Sequence, residues 1–383
     1  MALFHAAARA ATTPNTHANS RGSFDVLDFY RFGGALIVAI EHFIIVYLPV
    51  SPATETRAQL VQPLMGFFFA LSGFVIMHVY AERMRSLADF SDYMQKRLAR
   101  IYPLHIATLA LAMVWGLFAT HPQWFTPDAI IPNILLVHAW NTTDHLSFDY
   151  PSWSVSAEFF VYLLFPVFLV AVNRAGVWGA LLLPVLSIIP ITWVFHVYGY
   201  RSWTLATYDF GCLRAVPSFL AGMAVYRLAA GPFSGLAVPG WVAHGLAVAT
   251  VPMMLLGVPN VVMLGVFAAL VFLLACAEPK RRGLFSTPLF RALANCSYGF
   301  YMLHAFVGLT MLHLVPKFLH LGDAWAFALV VPALIMTTVL SVLSYHYFEA
   351  PARRYFSALR LPPSHAVSGK RLVLSFRALI PFL

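Results

Sequence analysis

Residues 63–81 read PLMGFFFALSGFVIMHVYA, a run that contains no Asp, Glu, Lys or Arg. A helix that crosses the hydrocarbon core of a bilayer needs about 20 mostly apolar residues, and this run meets that length. Inside a bilayer the backbone N–H and C=O groups must be bonded within the protein, which a single helix achieves by itself. The run therefore predicts a membrane-spanning helix.

Further apolar segments of similar length lie on both sides of this run. Together they give ten candidate spans, at residues 29–49, 63–81, 101–119, 152–172, 176–196, 209–228, 240–257, 259–277, 292–315 and 324–347. A shorter apolar stretch at 128–140 is expected to be re-entrant or interfacial. We therefore predict an all-α, polytopic membrane helical bundle of about ten transmembrane helices.

The composition agrees with a lipid-embedded chain. The 383 residues are 60% hydrophobic and 10% charged, against about 45–50% and about 25% in soluble domains. A net charge of +9 would suggest nucleic acid in a soluble protein, but here Lys and Arg lie in short runs between apolar segments. The expected partner is therefore the bilayer, and no nucleic acid is expected.

The basic residues also predict the topology. With the amino terminus inside, ten crossings place 20 of the 24 Lys and Arg on the cytoplasmic side, the exceptions being Arg57, Arg201, Arg214 and Lys317. Cytoplasmic loops are enriched in Lys and Arg, so both termini are expected in the cytoplasm. We predict a disordered cytoplasmic tail at 1–22, a ten-helix membrane domain at 23–355 and a cytoplasmic tail at 356–383.

The first span contains Arg31, Glu41 and His42, and ionisable side chains inside a bilayer are usually functional. Eleven residues separate Arg31 from His42, which is about 20° beyond three helical turns, so both lie on one face about 16 Å apart. That face would suit a long substrate with an anionic head near the cytoplasm and a reactive group inside the membrane. The structural alternative is a snorkelling Arg31 and a His42 that only bonds a neighbouring helix.

Six motifs in order carry a resemblance to a known family. Phe24 to Arg31 followed by His42 resembles the Arg-x10-His signature of the acyltransferase-3 family of membrane O-acyltransferases. Five later stretches resemble further motifs of that family: FFFALSGFVI at 67–76, KRLARIYP at 96–103, WSVSAEFFVY at 153–162, SYGFYMLH at 297–304 and YHYFEAP at 345–351. The likeness runs from about residue 24 to 354.

The resemblance implies a multi-pass enzyme of the inner (cytoplasmic) membrane, with Arg31 and His42 of the signature among its catalytic residues. Such enzymes take an acyl group, most commonly acetyl, from cytoplasmic acyl-CoA and often modify a carbohydrate or glycolipid at the far face. Glu41 departs from the pattern, because the family usually has an apolar residue beside this histidine. Glu41 is expected either to raise the pKa of His42 or to face another partner.

Arg97 and Arg100 are three residues apart and therefore adjacent on a helix face. Guanidinium groups match phosphate oxygens well, so these two residues, with Arg31 beside the path, are expected to bind acyl-CoA. Positive charge on the inner side of the membrane is the simpler explanation.

Glu158 follows an outer loop and is expected near the depth of His42. An imidazole and a carboxylate could form a base–orienter pair that takes a proton from the acceptor hydroxyl. The reaction could also pass through a transient acyl-His42. The alternative is a snorkelling Glu158 at the start of a helix.

Six further side chains are candidates for substrate binding: Ser72, Trp153, Tyr162, Arg214, Tyr298 and His304. For some of them a structural role is the alternative. The pair Ser72-Gly73 is typical of close helix packing, and Trp153 and Tyr162 are typical of an aromatic belt at the membrane surface. Arg214 is expected to pair with Asp209 or Glu158, or to bind an anionic acceptor. Glu349 and Arg353 are expected to form a structural pair.

The sequence contains no Walker loop, HExxH or GxSxG motif and no metal-ligand spacing, so no metal is predicted. The cysteines Cys212, Cys276 and Cys296 are expected to be free. The main alternative to an acyltransferase is a proton-coupled transporter or flippase of a polar or glycan solute, which many helices with buried charges would also suit. The internal repeat typical of transporters is not found, and a receptor or scaffold has no sensor domain to support it.

Overall fold

The chain folds into helices in every large segment that the structure describes. In a computed structural model the described residues are 16–116, 125–200, 202–277, 287–322 and 324–359, with side chains from residue 26 onward. About 80% of the described residues are helical, and no strand occurs within these ranges. This confirms the predicted all-α membrane bundle. Residues 1–15 and 360–383 of the predicted tails lie outside the described residues.

Sixteen α-helices follow one another in the described ranges. They are α1 Thr16–His42, α2 Pro52–Gln59, α3 Met65–Tyr80, α4 Leu87–Gly116, α5 Ile130–Ile134, α6 Trp153–Gly179, α7 Leu183–Val197, α8 Gly211–Ala230, α9 Gly240–Leu255, α10 Asn260–Ala275, α11 Pro288–Asn295, α12 Ser297–Gly308, α13 Val315–Phe318, α14 Ala324–Ala328, α15 Val330–Ser344 and α16 Ala350–Ala358. Turns of π-helix extend α1, α12 and α15 over Phe43–Tyr47, Leu309–Leu314 and Tyr345–Glu349.

Six helical segments in the described part of the chain are long and apolar enough to cross a bilayer. They are Val26–Tyr47, Pro52–Tyr80, Leu87–Gly116, Tyr150–Gly179, Ser297–Phe318 and Val330–Ala358. The apolar helices α7, α9 and α10 are shorter. Each of the ten predicted spans overlaps a helix, and the number of ten crossings stays a prediction.

The contact between α3 and α8 forms the centre of the bundle and depends on two glycines. A Cβ atom at Gly73 would lie 2.1 Å from the carbonyl oxygen of Phe219, and one at Gly222 would lie 1.8 Å from that of Ala70. No side chain fits at such distances, so the two backbones touch directly. This is the close helix packing that small residues allow inside membranes, and it holds the motif helix α3 against α8.

Large apolar side chains cover the outward faces of α7 and α15. Val185, Ile189 and Trp193 on α7 and Val331 and Ile335 on α15 are each more than half exposed. Contiguous apolar patches of this kind are rare on soluble monomers. Lipid is the solvent that suits these faces.

The segment between α4 and α6 packs back on the bundle rather than extending from it. It contains the short helix α5, and its side chains Ala129 and Phe148 form a small apolar cluster with Leu109 and Ala112 of α4. Part of its apolar surface is therefore in contact with protein, while Ile131 and Leu135 are more than half exposed. The depth of this segment in the membrane stays a prediction.

Candidate active site

A cavity of about 780 Å³ lies among α1, α3, α4, α6 and α12. Seven of the predicted site residues line it: Arg31, Ser72, Arg97, Arg100, Glu158, Tyr162 and Tyr298. We call it the basic cavity. The motifs from five separate helices thus converge on one space.

Positive charge dominates this cavity, because three guanidinium groups and one carboxylate line it. Arg31 donates to Asp28 at 3.0 Å. Arg97 donates to the Tyr80 hydroxyl at 3.3 Å, and its guanidinium lies over the Tyr80 ring, while its Nε has no hydrogen-bond partner. The groups that line the cavity therefore favour an anionic ligand.

The one carboxylate in the basic cavity, Glu158, is held by two hydroxyl groups. Ser72 donates to Glu158 Oε1 at 2.7 Å, and Tyr162 donates to the same oxygen at 2.5 Å. Trp153 and Tyr162 are 6% and 2% exposed. The prediction that these rings belong to an aromatic belt is therefore wrong, because both pack inside the bundle.

His42 and His304 form the second polar group of the site, which we call the histidine pair. Nδ1 of His42 and Nε2 of His304 are 2.7 Å apart, and the rings are stacked with centroids separated by 5.0 Å. His304 is fully buried, and its Nδ1 lies 2.6 Å from the carbonyl oxygen of Tyr301. The structure thus brings together two predicted residues that lie 262 positions apart in the chain.

These contacts determine the tautomers of the histidine pair. The Tyr301 carbonyl can only accept, so His304 Nδ1 carries a hydrogen and donates it. With neutral rings, His304 Nε2 is then an acceptor, and the 2.7 Å contact requires a hydrogen on His42 Nδ1. His42 Nε2 is left with its lone pair, which is the form that a general base needs.

Glu41 lies beside that lone pair. Its Oε2 is 3.7 Å from His42 Nε2, and its other oxygen has no hydrogen-bond partner. Glu41 also interacts electrostatically with the buried Arg214. Glu41 therefore faces both the histidine and a buried cation, and its charge would stabilise a protonated His42.

His42 and Glu158 do not form the expected hydrogen-bonded pair. The residue of the α6 region that touches His42 is Tyr150, whose ring centroid is 5.0 Å from that of the imidazole. Glu158 follows eight residues later, which corresponds to about 12 Å along a helix. The carboxylate therefore lies on the wall of the basic cavity, and His42 instead has His304 and Glu41 as neighbours.

Arg214 is bonded to backbone rather than to the carboxylates that we expected. It donates to the carbonyl oxygens of Ala206 at 3.1 Å and Gln62 at 2.7 Å, and its guanidinium lies over the Trp153 ring. Glu41 is the acid that acts on it most strongly. Arg214 therefore connects the loop before α3 to the loop before α8, next to the histidine pair.

A second polar cavity of about 610 Å³ adjoins the basic cavity and shares Arg100 and Tyr298 with it. It adds Asp28, Glu349 and Arg353 to the lining. Glu349 accepts from Ser344 at 2.9 Å and interacts electrostatically with Arg100 as well as with Arg353. The sequence predicted Glu349 and Arg353 as a structural pair, from their spacing of one helical turn. It did not predict that both residues line a cavity.

Within the described ranges, no group of three or more His, Cys, Asp or Glu side chains is arranged to hold a metal ion. The three cysteines are buried and free. The chemistry that can be derived from the site is therefore that of its guanidinium, imidazole, carboxyl and hydroxyl groups.

Comparison with known proteins agrees with the motifs. A family model described as "Acyltransferase domain" matches residues 24–346. The protein named Acyltransferase MdmB, from Streptomyces mycarofaciens, is 36% identical over 118 residues, which is 30% of this chain and 30% of that protein. No solved structure matches the chain.

Proposed function

The chain belongs to the acyltransferase-3 family, and from that premise we propose that it is a membrane-bound O-acyltransferase that uses acyl-CoA. The donor is expected to be acetyl-CoA, the acceptor a hydroxyl group of a carbohydrate or glycolipid, and the site of transfer the extracytoplasmic face of the inner membrane. The relative supports an acyltransferase only in part, because the match spans less than a third of its length.

The basic cavity supports the donor side of this proposal. Acyl-CoA carries its phosphates far from its thioester, and the cavity places Arg31, Arg97 and Arg100 among apolar and hydroxyl side chains. The adjoining polar cavity adds Arg353. We infer that these four cations hold the phosphates, because bidentate guanidinium–phosphate bonds combine charge with directional hydrogen bonds.

His42 is the proposed general base. Its Nε2 takes the proton of the acceptor hydroxyl while the hydroxyl oxygen bonds to the thioester carbonyl carbon. The carbon–sulfur bond then breaks, and the thiolate of CoA takes the proton from His42, so the imidazole is neutral again. Glu41 stabilises the imidazolium between these steps, since its carboxyl group lies 3.7 Å from Nε2.

The observation that carries this proposal is the hydrogen bond from His42 Nδ1 to His304 Nε2, which leaves Nε2 of His42 as the unprotonated nitrogen. Ser72 and Tyr162 already donate to Glu158. We therefore assign Glu158 to the donor cavity, where it orients groups of the ligand, rather than to proton transfer from the acceptor.

The proposal predicts that His42→Ala lowers acyl transfer about a hundredfold or more, the usual contribution of general acid–base catalysis. The measurement is release of CoA from labelled acetyl-CoA in inverted membrane vesicles. His196→Ala, which changes an exposed histidine at the end of α7, is the matched control and is expected to have no effect. Normal transfer by a well-folded His42→Ala protein would rule out the mechanism.

The same vesicles separate the enzyme from the transporter alternative. A transporter or flippase would accumulate solute and leave the thioester of acetyl-CoA intact. The acyltransferase is expected to consume the thioester without accumulating solute.

A further inference from the structure

The basic cavity is charged at one end and apolar at the other. The Tyr80 hydroxyl at the end of α3 accepts from Arg97, so this end of the helix lies beside the arginines. Ile76, one turn before Tyr80, lines the cavity, and so do Met65 and Phe68 at the start of the same helix. Eleven residues separate Met65 from Ile76, which corresponds to about 16 Å along the axis. The cavity therefore extends from the arginines to an apolar end near the start of α3.

Two further helices repeat this order along the cavity wall. In α6, Tyr162 interacts electrostatically with Arg97, and Ser154 lies two turns away from it on the same wall. In α12, Tyr298 also lines the polar cavity, and Tyr301 follows one turn later. Ser154 donates to the Tyr301 hydroxyl at 2.8 Å. Apolar and hydroxyl side chains from α3, α6 and α12 therefore form the far end of the cavity.

The ring of Phe68 closes this apolar end against α1. A Cβ atom at Gly34 would lie 2.8 Å from Cζ of Phe68, so the tip of the ring occupies the space that a side chain at position 34 would need. The ring also meets that of Tyr301, with centroids 6.4 Å apart. Phe67 and Phe69 are buried, whereas Phe68 is only partly buried and lines the cavity. Phe68 therefore spans the distance between α3 and α1 at the end of the cavity.

The apolar end is also the end nearest to the histidine pair. The rings of Tyr301 and His304 have centroids 5.7 Å apart, and the Tyr301 carbonyl accepts from His304. In α1, Gly34 lies between Arg31 and His42. A donor whose phosphates bind to the arginines therefore places its thioester toward the proposed base, and its acyl group enters the apolar end.

A closed apolar end distinguishes acyl groups by their length. The ring of Phe68 has no room to move toward α1, because its tip already lies against the backbone at Gly34. Protein interiors are close-packed and yield little, so a longer chain would clash with such a ring. In an apolar pocket one methylene group more or less changes kcat/KM by about 10–200-fold. A single ring in this place is therefore enough to select among acyl groups.

We propose that Phe68 limits the length of the acyl group that this enzyme transfers, with the terminal methyl group of a short acyl chain packed against its ring. The inference rests on the proposed use of acyl-CoA and adds the residue that selects among donors. Phe68 takes no part in the breaking of the thioester. Gly34 contributes by leaving the space in which the tip of the ring lies.

The test compares acetyl-, butyryl- and hexanoyl-CoA as donors. Each variant is produced in a deletion strain of the source organism, and release of CoA by inverted vesicles is measured above the rate of His42→Ala. The readout is the ratio of kcat/KM for a longer donor to that for acetyl-CoA, which does not depend on how much of a variant is folded. The wild type is expected to prefer acetyl-CoA. Phe68→Ala is expected to raise the hexanoyl-to-acetyl ratio about tenfold or more.

Phe67→Ala is the matched control for the loss of a ring. It makes the same change at the neighbouring position, where the ring is buried and packs against Phe267 instead of lining the cavity. This variant is expected to lose stability, as large-to-small core substitutions do. Its ratio of kcat/KM values should equal that of the wild type.

The two adjacent glycines of α1 test the seat of the ring. Gly34→Ala forces the tip of Phe68 toward the cavity, so the butyryl-to-acetyl ratio should fall about tenfold or more, the effect of about one methylene group. In the Phe68→Ala background the same change should have no effect, because there is no ring to displace. Gly33→Ala is the control, since a Cβ there has no atom within 4 Å, and it should keep the wild-type ratio.

Four results would overturn the role of Phe68: a wild type that uses hexanoyl-CoA as well as acetyl-CoA, an unchanged ratio in Phe68→Ala, the same shift in Phe67→Ala, or an effect of Gly34→Ala that persists without the ring. In each of these, His42-dependent release of CoA continues, so the proposed function stands. Absence of such release from all three thioesters would instead overturn the proposed function, and the role of Phe68 with it.

Discussion

At the scale of single residues, the carbonyl oxygen of Tyr301 determines which nitrogen of His42 is free to act. It accepts from His304, and His304 then accepts from His42. The chain of two hydrogen bonds fixes both tautomers and the orientation of the rings. His304 is therefore a positioning residue, comparable in role to the group that orients the base in a catalytic triad.

His304→Ala is expected to lower kcat about tenfold or more with little change in the KM for acetyl-CoA, because His42 loses the acceptor that fixes its tautomer. His304→Gln can still accept from His42 Nδ1 through its amide oxygen and should recover part of the rate. Steady-state kinetics in vesicles measure both. Equal losses in the two variants would mean that His304 serves packing alone.

Arg353 gives a second prediction at this scale. Arg353→Ala should raise the KM for acetyl-CoA about tenfold, the expected cost of one charge-assisted hydrogen bond. Arg354→Ala removes the same charge from the neighbouring residue, which does not line the polar cavity, and is the matched control. A similar KM in both variants would contradict the assignment of Arg353 to the donor site.

The motifs in the sequence predicted the residues of the basic cavity but not the partners of His42. Helical spacing identifies residues on one face, so the sequence alone could place Arg97 and Arg100 together. Depth in the membrane alone suggested that His42 meets Glu158. Rotation and register between helices decide that contact, and they bring His304 to His42 instead.

At the scale of helices, both members of the histidine pair lie close to a π-helical turn. Phe43–Tyr47 follows His42 directly, and Leu309–Leu314 follows α12. Such turns are frequent at functional sites because the extra residue redirects the side chains beyond it. Here Tyr47 and Leu309, which belong to these two turns, line the same small cavity.

Gly222→Ala is predicted to destabilise the bundle, because its Cβ would meet the backbone of α3 at 1.8 Å. Overpacking of this kind lowers the free energy of unfolding by about 1–3 kcal/mol or more. Gly265→Ala is the control, since a Cβ there has no atom within 4 Å. Thermal unfolding of the detergent-solubilised proteins measures the difference, and equal midpoints for the two variants would contradict the prediction.

The bilayer explains why the positions of the helices could be predicted and some of their limits could not. Apolar length located a helix at each predicted span, and the boundary near residue 176 coincides with Gly176, where φ of +68° bends the chain. The helix α4 begins at Leu87 rather than near 101. Its first turns are polar, so a hydropathy criterion does not detect them although they continue the same helix.

At the scale of the whole molecule, the distribution of charge predicts the orientation in the membrane. The helices of the basic cavity carry their arginines at the end that the positive-inside rule assigns to the cytoplasm. On this topology the donor cavity faces the source of acyl-CoA, and the loop before α6 faces the other side. The orientation is therefore consistent with the proposed reaction.

Cysteine labelling tests this orientation. In intact cells a membrane-impermeant maleimide should label Asp144→Cys and should leave Arg83→Cys unlabelled until the cells are lysed. Both side chains are exposed, and the three native cysteines are buried, so the background should be low. The reverse labelling pattern would show that the proposed topology is inverted.

The position of the histidine pair inside the bundle has a consequence for the cell. His42 packs against His304 and Tyr150 in the interior of the bundle. On the proposed topology, only a small acyl fragment changes compartment in each cycle, while the coenzyme and the sugar stay where they were made. The proposed reaction therefore needs no opening wide enough for a whole coenzyme, and the membrane would keep its ion gradients during turnover.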